Sequence, residues 1–586
     1  MLTLASIFSR ISIKSSNAVY LVSVLIGAVT GLGAVAFSKL LKIAESAYYG
    51  DYISSHLQTS FLSWDPHLDP VLLVLLILGG LLNGCIAYFY CAEIRGSGVD
   101  YVIERFHNHE GRMRGRIAIY KSIATVFTLG TGGSAGKEGP VAQIGAGFAA
   151  MVANRIQIGP KARRTLLLTG AAAGLGAIFH APLAGALTAT EMLYREDLEA
   201  DALVPCIIAS IVSYLIYTFF MGSGPLYAAE HLLFNLHDVP AYFVLGLLCF
   251  LAGFLFVRTY ETIHQRFGTL PIHPIVKPVL GALLVFAIAS ICPRVTGSSS
   301  EVLQTMLDRE IAFQGAVPMK IFLFFGAIAL LKILATSFTV GSGSAGGLYG
   351  PSLLIGASLG LATAALQKMI LPDMPLSYIS FALVGMGAFY SGVASAPIAA
   401  MVFVCELVGS YVLLPPLIIV STIALVLSHR WTIYPHQLPN RFQSPAHSWD
   451  MRTDLLERVK LGESKIPIRN HTVVTPRITL KHLRKLAARL HATDFAVKRG
   501  HEFFGMISLQ HVDTHRHPEK NTITRYTDTS VDPLTPDDNL SRALKFMLER
   551  ELDKVPIVEG VQNNKLLGYI RYRDILDYYF HHLAKK

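Results

Sequence analysis

The chain has 586 residues, 52% of them hydrophobic, a mean hydropathy of +0.46 and a formal charge of +10. That much apolar sequence excludes an ordinary soluble globular protein, and the basic excess forms no stripe interleaved with aromatics, which excludes nucleic-acid binding. The charge is also uneven: residues 1–440 hold 47 of the 90 charged side chains and the last 146 residues hold 43, so a large membrane part precedes a soluble one.

In chain order, Arg10 and Lys14 precede an apolar run from Ala18 to about Leu41 that lacks a small-residue cleavage site. This is the pattern of a retained first span. Further apolar segments are expected at 70–91, 118–130, 141–154, 165–179, 183–194, 202–221, 240–258, 276–292, 320–338, 352–369, 378–389, 396–408 and 413–428. Several are shorter than the roughly 20 residues that cross a hydrocarbon core. Backbone interrupted at membrane depth is tolerated only where protein buries it or it lines a water-filled path, so broken and re-entrant helices are expected.

Arg95, Arg105, Arg112, Arg114 and Arg116 gather where a loop on the cytoplasmic side is expected. The six cysteines, Cys85, Cys91, Cys206, Cys249, Cys292 and Cys405, have no C-x-x-C spacing and are expected to be inert in the membrane core. His107, His109, His180, His264 and His273 form no metal-ligand spacing, and no G-x-S-x-G or P-loop occurs, so neither a metal site nor an enzyme is expected.

Two internal matches indicate duplication. Gly136-Lys137-Glu138-Gly139-Pro140 is answered 211 residues later by Gly347-Leu348-Tyr349-Gly350-Pro351, and each continues into Ile-Gly-Ala. Ala181-Pro182-Leu183-Ala184 recurs as Ala396-Pro397-Ile398-Ala399, with Glu191 and Glu406 each nine residues after the proline. The halves run over about 19–221 and 240–429. Repeats of opposite topology can oppose helix N-termini near the midplane and hold an anion between them. Glu138 is then a carboxylate in the anion path, and an ionisable residue at membrane depth is a functional hypothesis by default.

Beyond a linker at 441–467, the tail at 468–586 carries its own repeat, over about 468–515 and 530–580. Leu480, Leu483, Leu486 and Leu490 mark a helix, followed by the strand-like Phe495-Ala496-Val497 and Phe504-Gly505-Met506-Ile507. Leu540, Leu544 and Met547, then Val555-Pro556-Ile557-Val558 and Leu567-Gly568-Tyr569-Ile570, repeat the order. Two copies of one α/β unit can bury each other's apolar faces.

On these motifs, with Gly96-Ser97-Gly98 and Tyr434 after the last apolar helix, residues 1–440 resemble the CLC family of chloride channels and proton-coupled chloride transporters. The tail resembles a pair of CBS domains. The resemblance implies an all-α polytopic membrane protein of inverted-repeat architecture, with a C-terminal α/β tandem CBS domain. It implies Glu138 as the gate, and Ser97, Tyr434 and the backbone amides of Leu348 and Tyr349 as chloride ligands.

It further implies a homodimer in the lipid bilayer with one path per subunit. The expected location is a bacterial inner or plasma membrane, with both termini cytoplasmic. Asp100 departs from the family pattern, which often has proline there, and Tyr349 stands where many relatives have phenylalanine. Exchangers resembling this chain end the helix after Ala181-Pro182 in two glutamates, the second relaying the inner proton. Here Glu191 matches the first and Met192 occupies the relay position.

The sequence therefore favours a passive chloride channel gated by Glu138, with a proton-coupled chloride exchanger as the alternative. Nitrate or fluoride transport and a receptor with a vestigial anion site rank below both. In the tail, Thr535, Arg571 and Asp574 are the candidates for contact with an adenine nucleotide, against a purely trafficking or dimer-stabilising role.

Overall fold

The computed structural model describes residues 16–580, except 48, 51, 54–61, 63, 65, 67, 157, 225, 228–231, 309–312, 314, 448–455, 458, 465, 471, 491, 510–511, 513–520, 551 and 561–562. It divides into two units, Met1–Ala446 and His447–Lys586.

The first unit is helical. In chain order it runs α1 (Ser16–Ser46), α2 (Pro70–Phe89), α3 (Val99–Asn108), α4 (Ile117–Gly130), α5 (Glu138–Ala153), α6 (Pro160–Phe179), α7 (Pro182–Glu191) and α8 (Ala200–Met221). After these come α9 (Val239–Thr269), α10 (Val276–Ala289), α11 (Ser300–Leu307), α12 (Pro318–Gly341), α13 (Tyr349–Ile370), α14 (Tyr378–Ala394), α15 (Pro397–Val408) and α16 (Leu414–Ser428). Among the described residues, six helices are long and apolar enough to cross a membrane, while α4, α10, α14, α15 and α16 are shorter apolar helices of 10–17 residues. This is an integral multi-pass membrane protein whose short helices do not each span the bilayer.

The breaks repeat between the halves. His180 and Ser395, both non-glycine, end α6 and α14 in the left-handed conformation, at φ 56° and 51°. Each is followed by Ala-Pro and a new helix, because proline at the first helical position needs no amide partner and presets φ. The glutamates that close α7 and α15 then cap each other's helices. Glu191 accepts from Ile398 N (3.2 Å) and Ala399 N (2.7 Å), while Glu406 accepts from Leu183 N (3.2 Å) and Ala184 N (2.8 Å). Reciprocal bonds of this kind are what a local two-fold relation between the halves requires. Both glutamates therefore serve as helix-terminal caps.

In the second unit, β1 (Val473–Val474), α17 (Leu480–Leu490), β2 (Asp494–Arg499) and β3 (Glu502–Ser508) form one copy, with order β1-β2-β3. The second copy has α18 (Leu540–Glu549), β4 (Lys554–Val558), β5 (Leu566–Arg571) and α19 (Tyr572–Tyr578). Each antiparallel pair has a register shift at the matching place, Val497/Lys498 and Ile557/Val558. Each copy has its own apolar core, and Ala496, Phe503, Met506, Val531 and Val558 form a cluster common to both. The tail is a tandem of one α/β unit.

Candidate functional site: an anion seat between helix N-termini

The glycine-rich segments of the two halves meet directly. Gly136 N donates to Gly347 O and Gly347 N donates back to Gly136 O, both at 2.7 Å. These bonds bring the start of α5 against the start of α13. Neither terminus has a side-chain cap, nor does that of α3, whose N-cap is Gly98. Uncapped N-termini present amide donors and the positive end of the helix dipole, which is an environment for negative charge. The carboxylate of Glu138 occupies it: Oε2 accepts from Gly350 N at 3.2 Å, and the residue is only 3% exposed. Gly136 is needed for this approach, since a Cβ there would collide with that same Oε2 and come within 2.7 Å of Gly350 N.

Ser97 sits at the start of α3, between Gly96 (φ 73°) and Gly98 (φ 86°), and is 6% exposed. A Cβ on Gly98 would also lie 2.8 Å from Gln143 Oε1, so backbone conformation and contact both demand glycine. The loop is held from behind by Lys121 of α4, fully buried, which donates to Ile94 O (2.8 Å) and Gly96 O (2.7 Å). Lys332 of α12, 211 residues later, does the same in the second half, donating to Val295 O (2.9 Å) and Gly297 O (3.3 Å). Sequence reasoning passed over both lysines. The signal was their spacing, which equals that of the two glycine motifs.

Tyr434 is 1% exposed and beside the Tyr390 hydroxyl. Its segment is pinned by Ile433 N to Val393 O (2.9 Å) and by Gln437 Nε2 to Tyr194 O (3.1 Å) and Ala394 O (3.0 Å). Asp100, the residue that departs from the family pattern, ties this segment to α3. It accepts from His436 N (2.9 Å) and pairs with His436 Nδ1 (2.7 Å). That hydrogen bond holds the imidazole above its ordinary pKa, against the effect of partial burial. The side chain that seemed out of place therefore connects the Ser97 helix to the Tyr434 strand of chain.

Leu348 and Tyr349 are buried at the start of α13. The Tyr349 ring packs on Tyr390 (centroids 3.9 Å), Phe179 and Phe403 (both 5.0 Å). Tyr390 had no sequence signal. It lies mid-helix in an apolar run and joins the site only because α14 packs against α13. The structure thus brings Glu138 together with the α13 terminus, and links the Ser97 and Tyr434 segments through Asp100.

In the tail, Arg571 and Asp574 come together as a capping box on α19, with Arg571 Nη2 to Asp574 Oδ1 at 2.7 Å and Arg469 Nε adding a bond at 3.3 Å. Burial pushes the Asp574 carboxyl up, but the hydrogen bonds from Arg571 and Arg469 outweigh it and hold the group below its usual range. Thr535 belongs to a separate turn, where its N and Oγ1 both donate to Asp538. None of the three lines the cavity of about 400 Å³ described in the tail, one whose walls include Ser508, Tyr526, Asp528 and Arg550.

Comparison with known proteins agrees with this architecture. The profile of the family described as voltage gated chloride channel matches residues 79–429, more than half of the chain, and that of the CBS domain matches 523–581. The voltage-gated ClC-type chloride channel ClcB of Salmonella typhimurium is 28% identical over 415 residues, covering 70% of this chain and 95% of its own. The H(+)/Cl(-) exchange transporter ClcA of Salmonella paratyphi B is 28% identical over 431 residues, covering 71% and 86%. Among solved structures, a slow cyanobacterial Cl-/H+ antiporter matches with TM-score 0.61 at 22% identity over 71% of this chain and 96% of its own, a likeness of fold.

Proposed function

Since the chain belongs to the voltage-gated chloride channel (CLC) family and transports chloride across a membrane, we propose that it does so as a proton-coupled exchanger. One observation carries this reading: a titratable carboxylate, Glu138, fills the amide-lined seat that suits an anion. Deprotonated, it competes with chloride for the N-termini of α5 and α13. Protonated, it loses that attraction and frees the seat, so proton and chloride occupancy alternate. Ser97 and Tyr434 offer neutral donors to a dehydrated chloride without a full positive charge that would trap it. A carboxylate seated among the amides that suit an anion supports exchange over the free conduction favoured by sequence alone.

A passive channel remains the second reading, favoured by Met192, which is fully buried and has no proton to pass. The Tyr349 and Tyr390 rings pack together, the Tyr390 and Tyr434 hydroxyls are hydrogen-bonded, and Tyr390 is within electrostatic reach of Glu191, which supports an inner route through other groups. The test is the reversal potential of purified protein in liposomes under crossed chloride and proton gradients. A shift with the proton gradient is expected; a value that follows chloride alone removes the exchanger and leaves the channel. Light scattering of the same preparation reads the homodimer proposed from family membership, and a monomer mass would remove it. The proposed setting is a bacterial inner or plasma membrane, with both termini in the cytoplasm.

For the tail, the CBS fold supports binding of an adenosyl ligand, and Thr535, Arg571 and Asp574 remain the proposed contacts. The Asp574 carboxylate already receives two guanidiniums, so a ribose has to compete for it. Calorimetry of the full chain with ATP, ADP and AMP tests this. Heat abolished by Asp574→Asn is expected, and no heat at millimolar ligand removes nucleotide sensing.

A further inference from the structure

We propose that the membrane unit holds a second anion site, apart from the transport path, that takes a phosphate-bearing ligand. It is the pocket of about 540 Å³ between the C-terminal end of α3, the 109–116 turn and the start of α6. Arg105, Arg112, Arg114 and Arg163 converge on it from these segments, with Tyr101 and Asn154 in the wall and Glu93 as the acidic residue of the lining. None of these residues touches the Glu138 seat through a bond described above. A pocket this large with four guanidiniums is oversized for one chloride, but guanidinium forks match the several oxygens of a phosphate.

The pocket is built rather than merely crowded. Gly111 (φ 71°) packs so close to α6 that a Cβ would lie 2.9 Å from Arg164 N, and its own N donates to Arg105 O at 2.9 Å. Arg164 Nε donates to Phe106 O (3.0 Å), and Asn154 Nδ2 to Met113 O (3.4 Å). The arginines therefore project from a backbone set in advance, which lowers the ordering cost of binding. Arg105 is also held over the Tyr101 ring at 4.6 Å.

Arg105 and Arg163 are only loosely committed: Arg105 Nη2 lies 3.7 Å from Glu104 Oε2, and Arg163 Nη2 donates to Ile158 O at 3.4 Å. The carboxylates now facing the arginines are weak competitors. Glu110 meets Arg112 at 3.0 Å and Glu93 meets Arg114 at 3.3 Å, with both arginine side chains about two-thirds exposed, 70% and 67%. Phosphate oxygens can offer several guanidiniums acceptors at once and displace these single ion pairs. The same chemistry is offered by the headgroup of an anionic phospholipid and by a free phosphate compound, and basic pockets at the edge of membrane proteins suit the former.

The full-length protein, stripped of lipid in detergent, is titrated with inorganic pyrophosphate by calorimetry. In parallel, nanodiscs of phosphatidylcholine with and without phosphatidylglycerol are released for native mass spectrometry, which counts retained phosphatidylglycerol. One of the two ligands is expected to bind wild type and to weaken about tenfold or more in the Arg105→Gln/Arg163→Gln pair. Arg112→Gln/Arg114→Gln, both at exposed positions, carries the test if the first pair fails to fold. Pyrophosphate binding assigns the site to soluble phosphates, and phosphatidylglycerol retention assigns it to lipid. Wild type that binds neither, or affinity unchanged in the folded variants, overturns the site.

Discussion

Glu138→Ala protein is expected to keep or raise its chloride flux while losing its response to external pH and its proton-driven chloride movement. The substitution removes the carboxylate that accepts from Gly350 N and leaves the amides of α5 and α13 for chloride. The proton-dependent component should fall by about tenfold or more, because among the described residues Glu138 is the carboxylate bonded in that seat. Glu138→Gln should act similarly as a mimic of the protonated side chain. Flux assays across external pH, on protein whose dimer yield is checked, decide the matter. Persistence of wild-type pH dependence in folded Glu138→Ala protein removes the gating role, and lost folding would make Glu138 a structural cap.

Lys121→Met should have the next largest effect, on both stability and selectivity. The substitution preserves length but leaves the buried Ile94 carbonyl without its donor, at a cost of about 1–3 kcal/mol, and Gly96 O with only the longer bond from Gly346 N (3.4 Å). The loop that presents Ser97 then loosens, so discrimination between chloride and nitrate is expected to decline. Lys332→Met is the matched control. It breaks the corresponding bonds to Val295 and Gly297, whose carbonyls keep Ser134 Oγ (2.7 Å) and Ala135 N (3.3 Å), and should destabilise less and with less effect on selectivity. Thermal unfolding in detergent and chloride-over-nitrate flux ratios separate the two. Equal selectivity in wild type and Lys121→Met would mean that the loop is held without the lysine.

The sequence by itself determined the membrane class, the duplication, the tandem tail and the family, because each is written in local composition or in motifs repeated at fixed spacing. Hydropathy reads burial in lipid residue by residue, and Gly-Pro breaks declare themselves wherever they occur. Glu138 stood out for the same reason, as an acid inside a glycine-rich break. The glutamates nine residues after each Ala-Pro could be assigned to helix ends, but not to the reciprocal capping of one another's helices.

Only the tertiary structure decided how these pieces act together. Gly136 reaches Gly347, Glu138 reaches Gly350, Glu191 reaches Ala399 and Asp100 reaches His436, all across more than 200 residues of chain. A hydrogen bond is made or lost within a few tenths of an ångström, and that distance depends on how whole helices pack. Tyr390 carries no local mark, and Arg163 joins the arginines clustered at 105–114 only because the start of α6 packs beside them. The seating of the Glu138 carboxylate on Gly350 N, which moves the proposed reading from channel toward exchanger, likewise depends on packing between distant segments.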